Sequence, residues 1–435
     1  MKNEKEHDQS GFAVPVRYSL FITLISFFGW TLAFMDSQFF GLLVPKIISA
    51  MSLSLNDISL VTLFSNIFGA LASIIMGQVM DRRGRLLPFQ LTLIFYSLGS
   101  LLTALSNNLF TLTGARSVVS FGTSPEGSVA SVMVTENTSR KVRGIATGLL
   151  LLGVPVGTTI ATIITGLVVV TAGLSFRVVF LIGIFPALLI LLVRLRARES
   201  ARYVELKRIK EGIRTGGNMD PKGMADLNKL THDPIRQLFE HDLRRKSLVV
   251  MVFTTLASGV FFSILLFATE YLTVVKGLSY GLSLFVVGAG SSASIIGYIA
   301  ATFIGQRIGR KETTIIFGLL GGVALLALGL SKSYTGVLVS YVLYQVFFAA
   351  IGSTFVALFA EMYPTRARGA GQSLNFASQS AGFAIWPLMF TATIAAVGWN
   401  TAFLLLEVVP LFISALSLFA IKRINPQAEL EDIAI

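Results

Sequence analysis

Read from its N-terminus, the chain alternates long apolar runs with short polar turns. Twelve runs stand out, at 18–48, 57–79, 86–106, 108–135, 144–172 and 175–194, then at 247–275, 280–304, 313–331, 334–360, 369–397 and 399–421. A helix needs about 20 predominantly apolar residues to cross a ~30 Å hydrocarbon core, which these runs match. Alternation of apolar and polar positions is absent, and the runs are too long for barrel strands. The pattern predicts an all-α membrane protein with twelve transmembrane helices. A polar stretch at 195–246 divides the runs six and six, with "GGNMDPKG" as its expected flexible middle. The expected organisation is a tail at 1–17, a six-helix bundle at 18–194, a linker at 195–246, a second bundle at 247–421 and a tail at 422–435.

Composition agrees with this pattern. Hydrophobic residues make up 54% and charged residues 13%, against about 25% charged in a soluble domain. The first run begins near Tyr18 and exceeds the core of a secretory signal, so it reads as a retained helix. There is no cysteine, and His7, His232 and His241 all lie in polar segments. Neither disulfides nor thiolate metal sites are available, and no cofactor or metal is expected.

Charge distribution sets an expected orientation, because cytoplasmic loops collect Lys and Arg. With the N-terminus inside, Lys46, Arg177, Lys276 and Lys332 fall outside and Arg116 falls within a span, leaving 30 of the 35 basic residues on the cytoplasmic side. The expected location is the cell membrane, crossed many times, with both termini cytoplasmic. Basic loops facing an anionic leaflet account for the net charge of +12 without a nucleic-acid partner.

A repeat lies beneath the pattern. "DRRGR" at 81–85 recurs as "QRIGR" at 306–310, and "ENTSRKVRG" at 136–144 recurs as "EMYPTRARG" at 361–369. Both pairs are shifted by 225 residues, so the two six-run halves read as copies. Parallel six-helix repeats flanking a central site characterise one class of transporter.

Gly77, Asp81, Arg82, Gly84 and Arg85 match the loop G-x-x-x-D-R-x-G-R, and the chain resembles the major facilitator superfamily over nearly its whole length. Three further stretches resemble its sugar and metabolite porter branch, which includes symporters of organic acids, phosphate and sialate. "ARSVVSFGTSPEG" is similar to the fourth-helix pattern R-x-x-x-G-x-G-x-G-G-E, with Ser120 and Ser124 in place of glycines. "RESARY" at 198–203 resembles P-E-S-P-R-[WY] without its prolines, and "AEMYPTRARGAG" resembles the turn before helix eleven. Where sugar porters usually carry a Gln-Gln pair in helix seven, this chain reads "TLASG" at 255–259, which turns the expectation away from hexose.

The resemblance implies a gating set of Gly77, Asp81, Arg82, Gly84, Arg85, Glu136 and Arg143. Its second-half partners are Arg307, Gly309, Arg310, Glu361 and Arg368. Asp81 is expected to pair with basic groups at helix ends and clasp the bundles while the outside is open. Gln306 cannot ionise, so the clasp is asymmetric.

An ionisable group inside a bilayer is costly and marks a candidate functional site. Five fall within runs: Asp36, Arg116, Glu126, Glu270 and Glu407. Asp36, in "LAFMDSQFFGLLVP", resembles the first-helix motif D-x-x-D-x(8)-P of organic-acid symporters, with Ala33 in the first aspartate's place. Burial disfavours a carboxylate anion, so Asp36 and Glu126 are the candidate proton-coupling groups. A structural hydrogen-bonding role is the alternative for each. The planar fork of Arg116 suits a substrate carboxylate, the alternative being an ion pair between helices, with Asp36 as one possible partner. Glu126 lies about 15 Å from Arg116 along the helix, too far for direct pairing. Glu270 is a further substrate-binding candidate near the outer surface, and Glu407 reads as peripheral. Asn66 and Gln379 are the amides expected to contact substrate, since unsatisfied amides in lipid are costly. "GLLLLGVPVGTT" in run five is a loose relative of an antiporter signature and equally a tolerated kink.

The function these features imply is secondary active transport: proton-coupled symport of a small polar metabolite, an organic anion first, by alternating access. The chain is expected to act as a monomer in the lipid bilayer. The alternatives are a sugar or polyol porter, a proton-driven exporter of drugs or metabolites, and a membrane sensor without transport, for which a signalling domain beyond Ile421 would be expected. No enzyme is expected, since no Ser-Lys, paired-Asp or metal-ligand spacing occurs in the runs, and no G-x-x-x-x-G-K-[ST] loop supports ATP-driven pumping.

Overall fold

The computed structural model describes residues 15–138, 140–200, 203–204, 238–241, 243–363 and 368–421. Its elements are helices. In the first half they are α1 (Val16–Met51), α2 (Leu55–Arg83), α3 (Leu86–Leu105), α4 (Leu109–Glu136), a composite α5, and α6 (Phe176–Arg194). The second half runs α7 (Arg244–Val274), α8 (Tyr280–Ile308), α9 (Arg310–Leu330), α10 (Tyr334–Met362), α11 (Arg368–Val397) and a composite α12. Each predicted run coincides with one of these spans, with ends shifted by a few residues.

The composites depart from a simple span. α5 consists of Arg140–Leu151 and Gly153–Thr165 and continues as a π-helical turn, Gly166–Thr171. α12 consists of Trp399–Phe403, a π-helical turn Leu404–Val408, and Val409–Ser417. The glycines of α5 serve packing. A Cβ on Gly157 would strike the Thr31 carbonyl, and one on Gly153 would come within 3.0 Å of Thr31 Oγ1, so both let α5 lie against α1.

Helix starts follow local capping chemistry. Ser54 and Asp57 exchange side-chain and backbone hydrogen bonds at the start of α2, and Asn108 and Thr111 do so at α4. Ser279 and Ser333 cap α8 and α10. Ser54 and Ser279 are 225 residues apart, as are Asn108 and Ser333. Backbone residues with positive φ obey the same offset: Ser52 with Gly277, Gly84 with Gly309, and Gly173 with Gly398. Positive φ suits glycine because it has no Cβ, and here these residues turn the chain between helices. The repeat read from two charged turns is thus written into the backbone as well.

Eleven described helices are long and apolar enough to cross a membrane. α4 is the exception, because it carries Arg116, Glu126 and many Ser, Thr and Gly residues. Exposed apolar side chains such as Ile74, Phe185, Ile296, Phe303 and Leu330 cover the outside of the bundle, as a lipid-facing surface requires.

Within the first half α4 packs on α2 and α3, while α1 packs on α5; within the second, α10 packs on α8 and α9, and α7 on α11. The halves meet through α1 with α7, α2 with α11 and α5 with α8. Ser59 donates to the Pro387 carbonyl at 3.0 Å and Thr391 donates to Ser59 at 3.0 Å. Tyr280 donates to the Leu42 carbonyl at 3.0 Å, with Lys46 Nζ 4.9 Å from its ring centre. Asn66 Nδ2 donates to the Phe383 carbonyl at 3.2 Å. The described hydrogen bonds between the halves thus lie at the end carrying Ser52 and Gly277 and at mid-span.

Candidate functional site

Two carboxylate–arginine pairs are sealed inside the first bundle. α4 supplies one member of each, and it can do so because it lies close to α3. A Cβ on Gly122 would meet Tyr96 N at 2.5 Å and would also strike the Thr92 carbonyl. That close approach carries the polar face of α4 into the bundle interior.

The first pair joins Asp36 of α1 to Arg116. Arg116 Nη1 donates to Asp36 Oδ2 at 2.8 Å, and Ser100 of α3 donates to Asp36 Oδ1 at 2.6 Å. The guanidinium also sits 4.6 Å from the centre of the Phe40 ring, a cation–π arrangement. Asp36 and Arg116 are both buried. Both carboxylate oxygens are satisfied, so of the two arrangements open to Arg116 the structure realises the interhelical ion pair with Asp36.

The second pair joins Glu126 to Arg194, the last residue of α6. Arg194 Nη2 donates to Glu126 Oε1 and Nη1 donates to Oε2 at 3.2 Å, a two-pronged contact. Thr92 donates to Glu126 Oε2 at 2.5 Å, and Arg194 also donates to the Phe89 carbonyl. Its guanidinium carbon lies 3.7 Å from the centre of the Phe89 ring. Neither Glu126 nor Arg194 is exposed at all. Gly29 of α1 closes the cage: a Cβ there would strike Arg194 Nη2 and come within 2.6 Å of Glu126 Oε1.

These features, twelve spans in two symmetric halves with paired charges inside the first, have a match among known families. The model for the Major Facilitator Superfamily matches residues 20–344 and 293–433. The chain belongs to the major facilitator superfamily. The niacin transporter NiaP of Acinetobacter baylyi is 25% identical over 406 residues, covering 89% of this chain and 90% of that protein. The 4-hydroxybenzoate transporter PcaK of Pseudomonas aeruginosa is 25% identical over 403 residues, 88% of each. Among solved structures, a D-xylose–proton symporter superposes with a TM-score of 0.73 at 17% identity, over 92% of this chain and 97% of that one, a likeness of fold. This major facilitator protein is a membrane transporter of the metabolite porter branch and not an enzyme.

The superfamily's hallmark turn is held from within its own half. Arg85 is buried, and its Nε and Nη2 donate to the Glu136 carboxylate at 3.1–3.2 Å while Nη1 donates to the Met80 carbonyl at 2.9 Å. Arg85 therefore ties the turn after α2 to the end of α4. Gly84 has φ 103°, closed to most side chains. Arg82 and Arg307 are exposed, and Gly309 has φ 107° and is buried like Gly84. The side chains of Asp81, Arg143, Glu361 and Arg368 lie outside the described residues.

Sequence reasoning missed the partner of this turn. Two described residues of the "RESARY" stretch contact "DRRGR" and the residue after it: Glu199 accepts from the backbone N–H of Arg85 at 2.9 Å and of Leu86 at 3.2 Å. It thus caps α3, while Tyr203 donates to the Arg82 carbonyl at 3.0 Å and sets its ring 4.8 Å from the Arg85 guanidinium. The two motifs are one structure.

The remaining candidates scatter. Asn66 lies where the halves meet, bonded to Thr62 and Phe383 carbonyls. Gln379 and Glu270 are half-buried, on α11 and α7. Two acidic or basic residues differ from expectation. Arg194, read as the cytoplasmic end of a run, is wholly buried, because α3 and α4 surround it with acceptors. Glu407, read as peripheral, is also wholly buried, accepting from Ser263 of α7 at 2.6 Å.

Proposed function

We propose that this transporter is a proton-coupled symporter that brings a small organic anion into the cell by alternating access between its two bundles. The observation that carries this reading is the buried Asp36–Arg116 pair. The guanidinium stays charged at any physiological pH and fits a carboxylate in a bidentate manner. If Asp36 takes up a proton, Arg116 is left with an unbalanced charge that a substrate carboxylate can satisfy. Proton and anion then bind with positive coupling, which is thermodynamically reciprocal. The Glu126–Arg194 pair offers a second carboxyl for the same exchange, screened more deeply.

Orientation comes from charge. The basic turns lie at the end carrying Gly84 and Gly309, so in this reading that end and both termini face the cytoplasm. The gate at that end comprises Asp81, Arg82, Arg85, Glu136 and Arg143 with Arg307, Arg310, Glu361 and Arg368. The names of the niacin and 4-hydroxybenzoate transporters favour an acid with a planar ring. Half-buried rings near the meeting of the halves suit such a substrate: Phe261 stacks on Phe348 at 5.1 Å, and Phe262 on Phe383 at 4.7 Å. Asn66 stands beside them, with Gln379 and Glu270 as further polar contacts. One polypeptide is sufficient for this cycle.

The test is uptake of carboxylates and sugars into proteoliposomes under an imposed pH gradient, repeated with Asp36→Asn and Glu126→Gln. Gradient-driven uptake of a carboxylate that is lost in Asp36→Asn fits the reading. Fully proton-driven uptake in both variants overturns the coupling assignment, and substrate expulsion under the same gradient would identify an exporter.

A further inference from the structure

Asp36 and Glu126 each lie against an arginine, whereas the second bundle contains a buried carboxyl with no such partner. Glu407 lies in the π-helical turn Leu404–Val408 of α12 and is 0% exposed. Its Oε1 accepts from Ser263, and its Oε2 has no hydrogen-bond partner. No described cation pairs with it. π-helical turns inside α-helices recur at functional sites, and Glu407 lies within one on the buried face of α12, in line with Phe403 and Leu411.

The groups facing Glu407 are neutral. α7 offers Ser263, with Glu270 and Tyr271 about two turns outward. On α9 the ionisable residues are Arg310, Lys311 and Glu312, all in its first turn, and none follows from Thr313 to Leu330. α10 offers Tyr341 and Tyr344, and the Tyr344 hydroxyl is within electrostatic reach of Glu407 and lacks a hydrogen-bond partner. From α11, Trp386 Nε1 donates to the neighbouring Leu406 carbonyl at 2.9 Å. A small pocket lined by Ser263, Phe267, Tyr271, Tyr341 and Phe403 adjoins this site. An unpaired carboxylate in such surroundings is so costly that the group takes up a proton instead.

We infer that Glu407 is a proton-binding site of the second bundle, additional to the pairs in the first, which binds and releases its proton as α7 moves against α12. The chemistry is reversible protonation of one carboxylate oxygen: Oε2 gains a proton from water on one side and returns it to water on the other. The link to the cycle is spatial. Two residues from Ser263, the Leu265 carbonyl lies directly against Gly41 of α1, so α7 bears on the other half beside the site. This inference rests on the proposed proton-coupled transport, and its test separates the two.

The full-length protein, wild type and Glu407→Gln, is reconstituted with 4-hydroxybenzoate as the probe, after a monodisperse elution profile shows that the variant folds. With one proton fewer per cycle, a gradient of one pH unit supports about tenfold less accumulation. The infrared carbonyl band of a buried protonated carboxyl should appear in the wild type and vanish in the variant. Unchanged accumulation in Glu407→Gln, or an unchanged band, overturns the inference. If Glu407→Gln fails to fold, Ser263→Ala is used: it removes the donor to Oε1 and should shift the pH dependence of accumulation, and an unshifted profile overturns the inference. A wild type without any gradient-driven accumulation would instead contradict the proposed symport, while the infrared band would still report on Glu407.

Discussion

Arg194 of α6 holds both oxygens of Glu126 of α4 at a place where neither side chain reaches solvent. The contact joins two residues 68 apart in sequence, on α4 and α6, and α3 joins them through Thr92 and the Phe89 carbonyl. Once such a pair is buried, removing one partner strands the other charge.

Glu126→Gln and Arg194→Met should therefore each lower stability by about 3–5 kcal/mol, and the double variant should recover a large part of that loss. Denaturant unfolding of the four proteins in detergent, read as a double-mutant cycle, measures this. Single variants as stable as the wild type would show that the pair contributes nothing to folding.

Gly29 tests the same cage from the third side. In Gly29→Ala the new methyl group falls on the Arg194 guanidinium, and overpacking of this kind costs about 1–3 kcal/mol. Gly148→Ala is the control, because its Cβ would meet nothing within 4 Å. The first should melt at a lower temperature than the wild type and the second should not.

The contact between the halves near the start of α2 lends itself to cross-linking, since the chain has no native cysteine. Ser59 and Thr391 approach to 3.0 Å across the two halves. Oxidation of Ser59→Cys/Thr391→Cys should join α2 to α11, hold that contact shut and stop transport, and a reductant should restore it. Continued transport in the fully cross-linked protein would mean that α2 and α11 need not part there.

The legible parts of this molecule were those governed by local pattern. The twelve spans follow from the lengths of apolar runs, and the halves from two charged turns with one offset. Asp36, Arg116 and Glu126 stood out because each interrupts an apolar run. Their pairing was less accessible, because Asp36 and Arg116 are 80 residues apart and only the crossing of α1 and α4 joins them. Arg194 stayed hidden for a different reason. It ends an apolar run immediately before a basic linker, where an arginine ordinarily faces water. Glu407 reads as peripheral because the twelfth helix of the resembled family usually faces away from the cavity, whereas here it lies on the buried face of α12 with Phe403 and Leu411 and accepts from Ser263 of α7. Glu199 stands out as part of a motif, but its role as a cap on α3 depends on a contact with the backbone of Arg85 and Leu86, more than a hundred residues earlier.

The central claim, that an organic anion and a proton move together in one direction, is tested most directly without an imposed gradient. Proteoliposomes loaded with a pH-sensitive dye are given external 4-hydroxybenzoate at equal pH on both sides. Symport predicts that the lumen acidifies as substrate enters, and that Asp36→Asn abolishes the acidification. Substrate entry with an unchanged lumen, or with alkalinisation, would contradict the account.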